Sequence, residues 1–216
     1  MRLRSVVLVL CVTLGAPPLI AQGPHFRLDA RGTSVRVQSL APTGILSELR
    51  GTAFGGDGAW LLGRVALEIG YWQGHLTPRA AGGGPPPRSI TEGVALLGIH
   101  PVPSVLIGGG VQARSYRTPA GVERWVFWQV RARTEQMLVD PAIRVHLELW
   151  RAIKADVNAQ QPFDRGQGGE VGFTVLAPRS LLWGRVAYSI DDAKLGAGAR
   201  RETVDALTIT IGIGRR

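Results

Sequence analysis

The chain has one cysteine, Cys11, in 216 residues. A single thiol closes no internal disulfide and builds no cysteine metal site. Lysine is almost as scarce. Lys154 and Lys194 are the only two, so the net charge of +9, from 25 basic and 16 acidic residues, rests on arginine. Those arginines are dispersed and alternate with apolar residues, whereas a nucleic-acid surface wants them gathered with aromatics between them. No apolar run approaches the roughly 20 residues of a spanning helix. Equally, 45% hydrophobic against 19% charged residues is too apolar for disorder. The histidines His25, His75, His100 and His146 stand apart, without an HExxH or other paired spacing, and there is no GxSxG and no phosphate loop. No cofactor or metal is expected from this pattern.

What is present begins with an address. Arg2 and Arg4 precede a mostly apolar run over 5–14, then Gly15-Ala16-Pro17-Pro18, and Leu19-Ile20-Ala21 before Gln22 offers a cleavage site. The arrangement predicts a cleaved secretion signal over 1–21 and a single exported domain over 22–216.

The domain shows no helical stripe. Period-two alternation recurs instead, broken by Gly, Pro, Asp or Ser. Ile143–Val157 is the clearest case: Arg144, His146, Glu148 and Trp150 alternate with Ile143, Val145, Leu147 and Leu149. The last such segment sets Thr208 and Thr210 against Leu207, Ile209, Ile211 and Ile213, and an early one sets Arg36 and Gln38 against Val35 and Val37. Tight turns over 55–58, 101–104, 139–142 and 177–180 alternate with longer connections over 74–89, 117–121, 158–169 and 193–201. Glycines 108–110 lie inside a strand and read as a kink or as room for a neighbour. Nine strands follow, and a further one over 33–40 makes ten. The predicted fold is all-β, an antiparallel up-and-down β-barrel of 10 strands, with 8 as the runner-up.

Strand length suits tilted membrane spans, so the apolar faces are expected to meet lipid and the polar faces to fill the lumen. That lumen network is assigned to Arg64, Glu68, Arg114, Glu123, Arg131, Arg133, Arg144, His146, Glu148, Glu170 and Arg185. An interfacial aromatic girdle is assigned to Trp60, Tyr71, Trp72, Tyr116, Trp125 and Trp183. The signal, the strand–turn alternation and the apolar final strand over 207–213 resemble bacterial outer-membrane β-barrel proteins as a broad class. The resemblance implies location in the cell outer membrane, outer-membrane lipid including anionic lipopolysaccharide as surroundings, and the barrel assembly machinery as a partner; nucleic acid is not among the partners.

The expected role is non-enzymatic: a structural or adhesive module, or a narrow solute passage with a charge-paired lumen. The alternatives are a soluble periplasmic lipocalin-like barrel binding an apolar ligand, and a membrane enzyme acting on lipid or peptide at the long-loop rim. The enzyme reading would draw on His75, Asp156, Asp164, Ser189, Asp191 and Asp192. The densest aromatic run, Trp125-Val126-Phe127-Trp128, reads as packing and girdle, with a ligand shelf in the barrel mouth as its functional alternative.

Overall fold

A computed structural model describes residues 25–40, 46–79, 86–138, 142–159, 162–196 and 200–214. The expected signal segment lies outside these residues. Ten strands follow in chain order: β1 (His25–Leu40), β2 (Leu46–Leu62), β3 (Val65–Pro78), β4 (Arg88–Val102), β5 (Val105–Thr118), β6 (Gly121–Met137), β7 (Ile143–Val157), β8 (Phe163–Leu176), β9 (Leu182–Leu195) and β10 (Arg200–Gly214). Each pairs antiparallel with its neighbours in sequence, and β1 pairs with β10, so the sheet closes. Closure leaves no free edge strand beside the tight turns, where a strand immersed in lipid could not tolerate unpaired backbone groups. Both ends of the barrel strands, His25 and Gly214, lie at the rim of the tight turns.

The strand count is as expected, but several boundaries move. The glycine-rich segment 55–58 is strand interior, and the chain turns at Gly63-Arg64, where Gly63 takes a φ of 62°. These glycines make room. A Cβ on Gly55 would fall 2.0 Å from the Tyr71 carbonyl oxygen and 2.5 Å from the Trp72 Cβ. β1 starts at His25, eight residues before the expected start at 33. Most of the supposed long loops are strand as well: β3 continues to Pro78, β6 starts at Gly121, β8 at Phe163 and β10 at Arg200.

The strands run 14 to 17 residues, whereas a tilted span needs only about 9–11. The surplus extends past the membrane at one rim, and the alternation inverts along it. On β3 the outward residues are Val65, Leu67, Ile69 and Tyr71, then Gln73, His75 and Thr77; the inward ones are Ala66 and Glu68, then Trp72 and Leu76. On β10, Ile213, Ile211, Ile209 and Leu207 face out, followed by Asp205, Thr203 and Arg201. The barrel therefore has two tiers. Beside the tight turns it is apolar outside and charged inside. Toward the opposite rim it is a polar collar around an apolar core that includes Val35, Val37, Leu49, Leu76, Ile90, Tyr116, Trp125, Phe127 and Leu195.

The expectation that every apolar face meets lipid fails in this collar. Val35 and Val37 are 2% and 1% exposed inside, with Arg36 and Gln38 on the outer wall. Water surrounds this end, so the ordinary rule of a soluble barrel applies to it. In β7 the parity also flips. Against β6, Trp128 pairs with Lys154 and Gln129 with Ala152, so Ile153 is a bulge that turns Lys154 and Asp156 outward and Ala155 and Val157 inward. Below the bulge, Leu147 and Leu149 are 46% and 57% exposed on the lipid side.

Inward space at Gly55 is a structural requirement. Gly55→Val should lower the urea midpoint of the refolded barrel by about 1–3 kcal/mol of overpacking. Gly93→Ala, whose Cβ would meet nothing nearer than 3.9 Å, should leave the midpoint unchanged; equal effects would contradict this account.

Candidate functional site

Among the described residues, buried chemistry-bearing side chains converge in the interior of the barrel. Nearest the tight turns, alternation on β3, β6, β7 and β8 sends Glu68, Arg131, Arg133, His146, Glu148 and Glu170 inward. Arg133 grips Glu68 with both terminal nitrogens, Nη1 to Oε1 at 2.7 Å and Nη2 to Oε2 at 2.9 Å, and its Nε donates to Glu148 at 2.5 Å. Arg131 donates to the other Glu148 oxygen. His146 Nε2 lies 2.8 Å from Glu170, and Arg185 Nη1 is 3.6 Å from the same carboxylate. Arg144 pairs with Glu135 at 3.2 Å.

The layer also holds groups that the sequence reading missed. Arg27, Asp29 and Arg31 of β1 and Asp57 of β2 line the same space, with Arg31 to Asp57 at 3.2 Å and Arg27 to Glu68 at 3.8 Å. They were hidden because β1 was started too late and Asp57 was assigned to a turn. Around a cavity of about 90 Å³, five arginines (27, 31, 131, 133, 185) face five carboxylates (29, 57, 68, 148, 170). Burying such charges is strongly unfavourable unless they are paired and hydrogen-bonded, and this layer is close to neutral by construction. A cavity of this size holds a few waters, which need about 10–15 Å³ each.

Above it sits a second layer. Arg114, 4% exposed, donates 2.6 Å to Glu92 and 2.5 Å to Asp191. Trp72 donates to Glu92 at 3.1 Å, and Trp150 donates to Asp191 at 2.8 Å. Higher still, the Tyr116 hydroxyl donates to Glu202 at 2.6 Å, Trp125 to Glu123 at 2.9 Å, and Arg200 lies 2.9 Å from Glu123. The apolar core fills the space between these groups. Phe127 is its hub, with ring centroids 5.9 Å from Trp125, 6.0 Å from Trp150 and 5.8 Å from Phe163.

Two sets of expectations need correction. Arg64 is not in the lumen, because the turn falls at Gly63-Arg64 and its side chain is exposed to solvent. Four of the six girdle aromatics point inward: Trp72, Tyr116, Trp125 and Trp183 are between 1% and 7% exposed. Each has a polar reason to be inside. The first three donate to lumen carboxylates, and Trp183 lies between the Arg27 and Arg185 guanidiniums, 5.7 and 5.8 Å from its ring centre. On the outer wall, Trp60 and Phe26 pair across β1 and β2 near the tight turns, while Phe54, Tyr71, Trp128 and Tyr188 mark the upper edge of the apolar belt. Proximity to a strand end does not reveal which face a residue occupies; parity does.

The residues of the enzyme alternative are not brought together. His75 faces outward on β3, 3.5 Å from Ser89, whereas Asp191 faces inward on β9, bound by Arg114 and Trp150. Asp192 faces outward and is held by Arg201 at 2.5 Å. Asp156 is exposed on the outer wall of β7 and Asp164 at the upper, collar end of β8; Ser189 lies inside. Among the described residues no group of three or more His, Cys, Asp or Glu is arranged to hold a metal ion.

Comparison with known proteins fits this architecture. No protein-family model matches the chain, and no curated protein matches it in sequence. Among solved structures it is similar to the outer membrane protease OmpT of Escherichia coli, with a TM-score of 0.55 at 8% identity over 88% of this chain and 97% of that one. The translocator domain of the autotransporter NalP from Neisseria meningitidis matches at 0.49 and 13% identity over 90% of each chain. Neisserial surface protein A matches at 0.37 and 10% identity over 89% of this chain and 99% of that one. At such identities the likeness is one of fold. Fold and belt agree: the chain is an outer-membrane β-barrel, its apolar tier facing lipid, and the soluble lipocalin-like alternative falls because its apolar face would have to point inward throughout.

The Glu68–Arg133 pair is a buried, doubly hydrogen-bonded tie across the lumen. Glu68→Gln should cost about 3–5 kcal/mol in urea unfolding, because it leaves Arg131 and Arg133 buried with Glu148 as their one shared carboxylate. Arg50→Gln, which loses only the half-exposed collar contact to Glu48 at 2.6 Å, should leave the midpoint within error. Comparable losses would mean that the lumen layer carries no special weight.

Proposed function

We propose that this protein is a closed, non-enzymatic outer-membrane module, structural or adhesive, which anchors a rigid polar collar beyond the bilayer. The observation that carries the reading is the filling of the lumen: an ion-pair layer, the Arg114 layer and the aromatic core follow one another, and the cavity within the ion-pair layer is only about 90 Å³. A solute passage needs a continuous polar lumen, and here Trp125, Phe127 and Leu195, each at most 1% exposed, occupy its upper half. The same filling leaves no shelf in the mouth for an apolar ligand. Against the reading as an enzyme stands the separation of His75 from Asp191 by the barrel wall. On this reading the partners are the surrounding lipid, including anionic lipopolysaccharide, and the machinery that inserts such barrels.

The collar is suited to presentation. It is built of hydrogen-bonded strands carried past the membrane, so little backbone entropy remains to be lost when another surface meets it. The strand surplus places its outer wall clear of the hydrocarbon.

Planar-bilayer recording tests the closure. The wild-type barrel should give no resolved conductance steps. A variant stripped of core and middle layer together (Trp125→Ala, Phe127→Ala, Glu92→Ala, Arg114→Ala) should give them if it still shows heat-modifiable migration. Regular steps from the wild-type protein would overturn the proposal.

A further inference from the structure

The basic residues of the collar's outer wall fall into two groups. Around β10, β1 and β2 they are spent on carboxylates: Arg36 on Asp205 at 2.5 Å, Arg50 on Glu48 at 2.6 Å and Arg201 on Asp192 at 2.5 Å. Along β5 to β9 stand Arg117, Arg124, Arg151, Lys154, Arg165 and Lys194, and among the described residues none of these six forms an ion pair; the last four are gathered on the adjacent strands β7, β8 and β9. Both lysines of the chain are in this group. Asp156, on the same outer wall as Lys154, and Asp164, at the upper end of β8, are the nearby acids, and neither reaches a cation within bonding distance; Asp192 is already held by Arg201.

Register shows where the four sit. Arg151 is opposite Val130, which is 48% exposed on the lipid side, and Lys154 is opposite Trp128, 51% exposed at the belt's upper edge. Arg165 is opposite Lys194. Two irregularities aim these charges outward. The bulge at Ile153 puts Lys154 on the outer wall with Arg151, and the register shift between Phe163 and Arg165 keeps Phe163 in the core while Arg165 faces out. Such bulges re-aim side chains. In the same stretch the β7–β8 ladder ends at Arg151 and Gln167, so the upper ends of these two strands are not zipped together. Cations without carboxylates at the boundary of hydrocarbon and water, beside an interfacial tryptophan, are placed for the anionic groups found at that depth.

We propose that Arg151, Lys154, Arg165 and Lys194 form a one-sided binding arc for the phosphate groups of membrane lipid, seated at the unzipped end of β7 and β8. The arc fixes which side of the barrel carries anionic lipid. Arg151 reaches up from the last rung of the apolar belt, and Lys154, Arg165 and Lys194 cover the phosphate plane above it.

The test uses the full barrel refolded in neutral detergent and titrated with vesicles of phosphatidylcholine, either alone or doped with lipid A. Lipid phosphorus retained on the protein is read after gel filtration. The wild-type protein should retain lipid A in preference to phosphatidylcholine, with retention falling as salt is raised. The quadruple variant Arg151→Gln, Lys154→Gln, Arg165→Gln, Lys194→Gln should lose roughly tenfold or more of that affinity. The double variant Arg36→Gln, Arg50→Gln should retain lipid A as the wild type does. Should the quadruple variant fail to show heat-modifiable migration, Lys154→Gln with Lys194→Gln provides the same comparison with smaller loss, and Lys154→Arg with Lys194→Arg should restore retention. Equal retention by arc variants and wild type, or equal losses from both sides of the barrel, overturns the proposal. So does full competition by inorganic phosphate, which would mark a free-anion site. None of these outcomes bears on conductance, so the closed-lumen reading stands or falls separately.

Discussion

Pairing of buried charge in the lower lumen is the constraint on which the rest of the structure depends. A sheet of ten strands encloses a narrow space, and half of what points into it is arginine, aspartate or glutamate. Arg133, bonded to Glu68 and Glu148 at once, ties β3, β6 and β7 together across the interior. Arg27 brings in β1, and Glu170 with His146 and Arg185 brings in β8 and β9. The contacts of Arg133 and Arg27 to Glu68 connect strands that share no backbone ladder, so they brace the barrel's cross-section, whereas Arg133–Glu148, His146–Glu170 and Arg185–Glu170 reinforce neighbouring ladders. Each tie is also a liability, since removal of one partner strands the other in a poorly solvated site.

The second constraint is the surrounding medium, which changes along the barrel axis. Lipid meets the lower tier and water the upper one. Outward apolar residues are therefore favourable below and unfavourable above, and the interior responds in the opposite sense. The aromatic core around Phe127 is the counterpart of a soluble protein's core, built inside the same continuous strands that carry ion pairs lower down. Tryptophans and a tyrosine join the tiers: Trp72, Trp150, Tyr116 and Trp125 each pack in an apolar layer and donate a hydrogen bond to a carboxylate.

Much of this was legible from residue order. Alternation over Ile143–Val157 and over 207–213 identified strands, the tight turns at 101–104 and 177–180 fell where expected, and parity led to ten strands. Glu68, Arg131, Arg133, Glu148, Glu170 and Arg185 are inside, as polar residues on the apolar tier's reverse face must be. The misreadings have physical causes. Gly55, Gly56 and Gly58 signal a turn because glycine favours one, yet here Gly55 is selected for close approach of Trp72. Polar collar strands such as 73–78 look like loop because neither their composition nor their apolar face follows the membrane pattern. A bulge at Ile153 reverses parity without leaving any mark in composition.

The sequence by itself determined the closed antiparallel sheet and the opposition of apolar and charged faces, because period two is a property of the extended chain and needs no knowledge of neighbours. Only the tertiary structure decided which way each face points at each height, whether Trp72, Tyr116 and Trp125 meet lipid or fill the lumen, and which cations find a carboxylate. Those outcomes depend on register between strands and on where the surrounding medium changes from hydrocarbon to water, and neither is written in the order of residues along one strand.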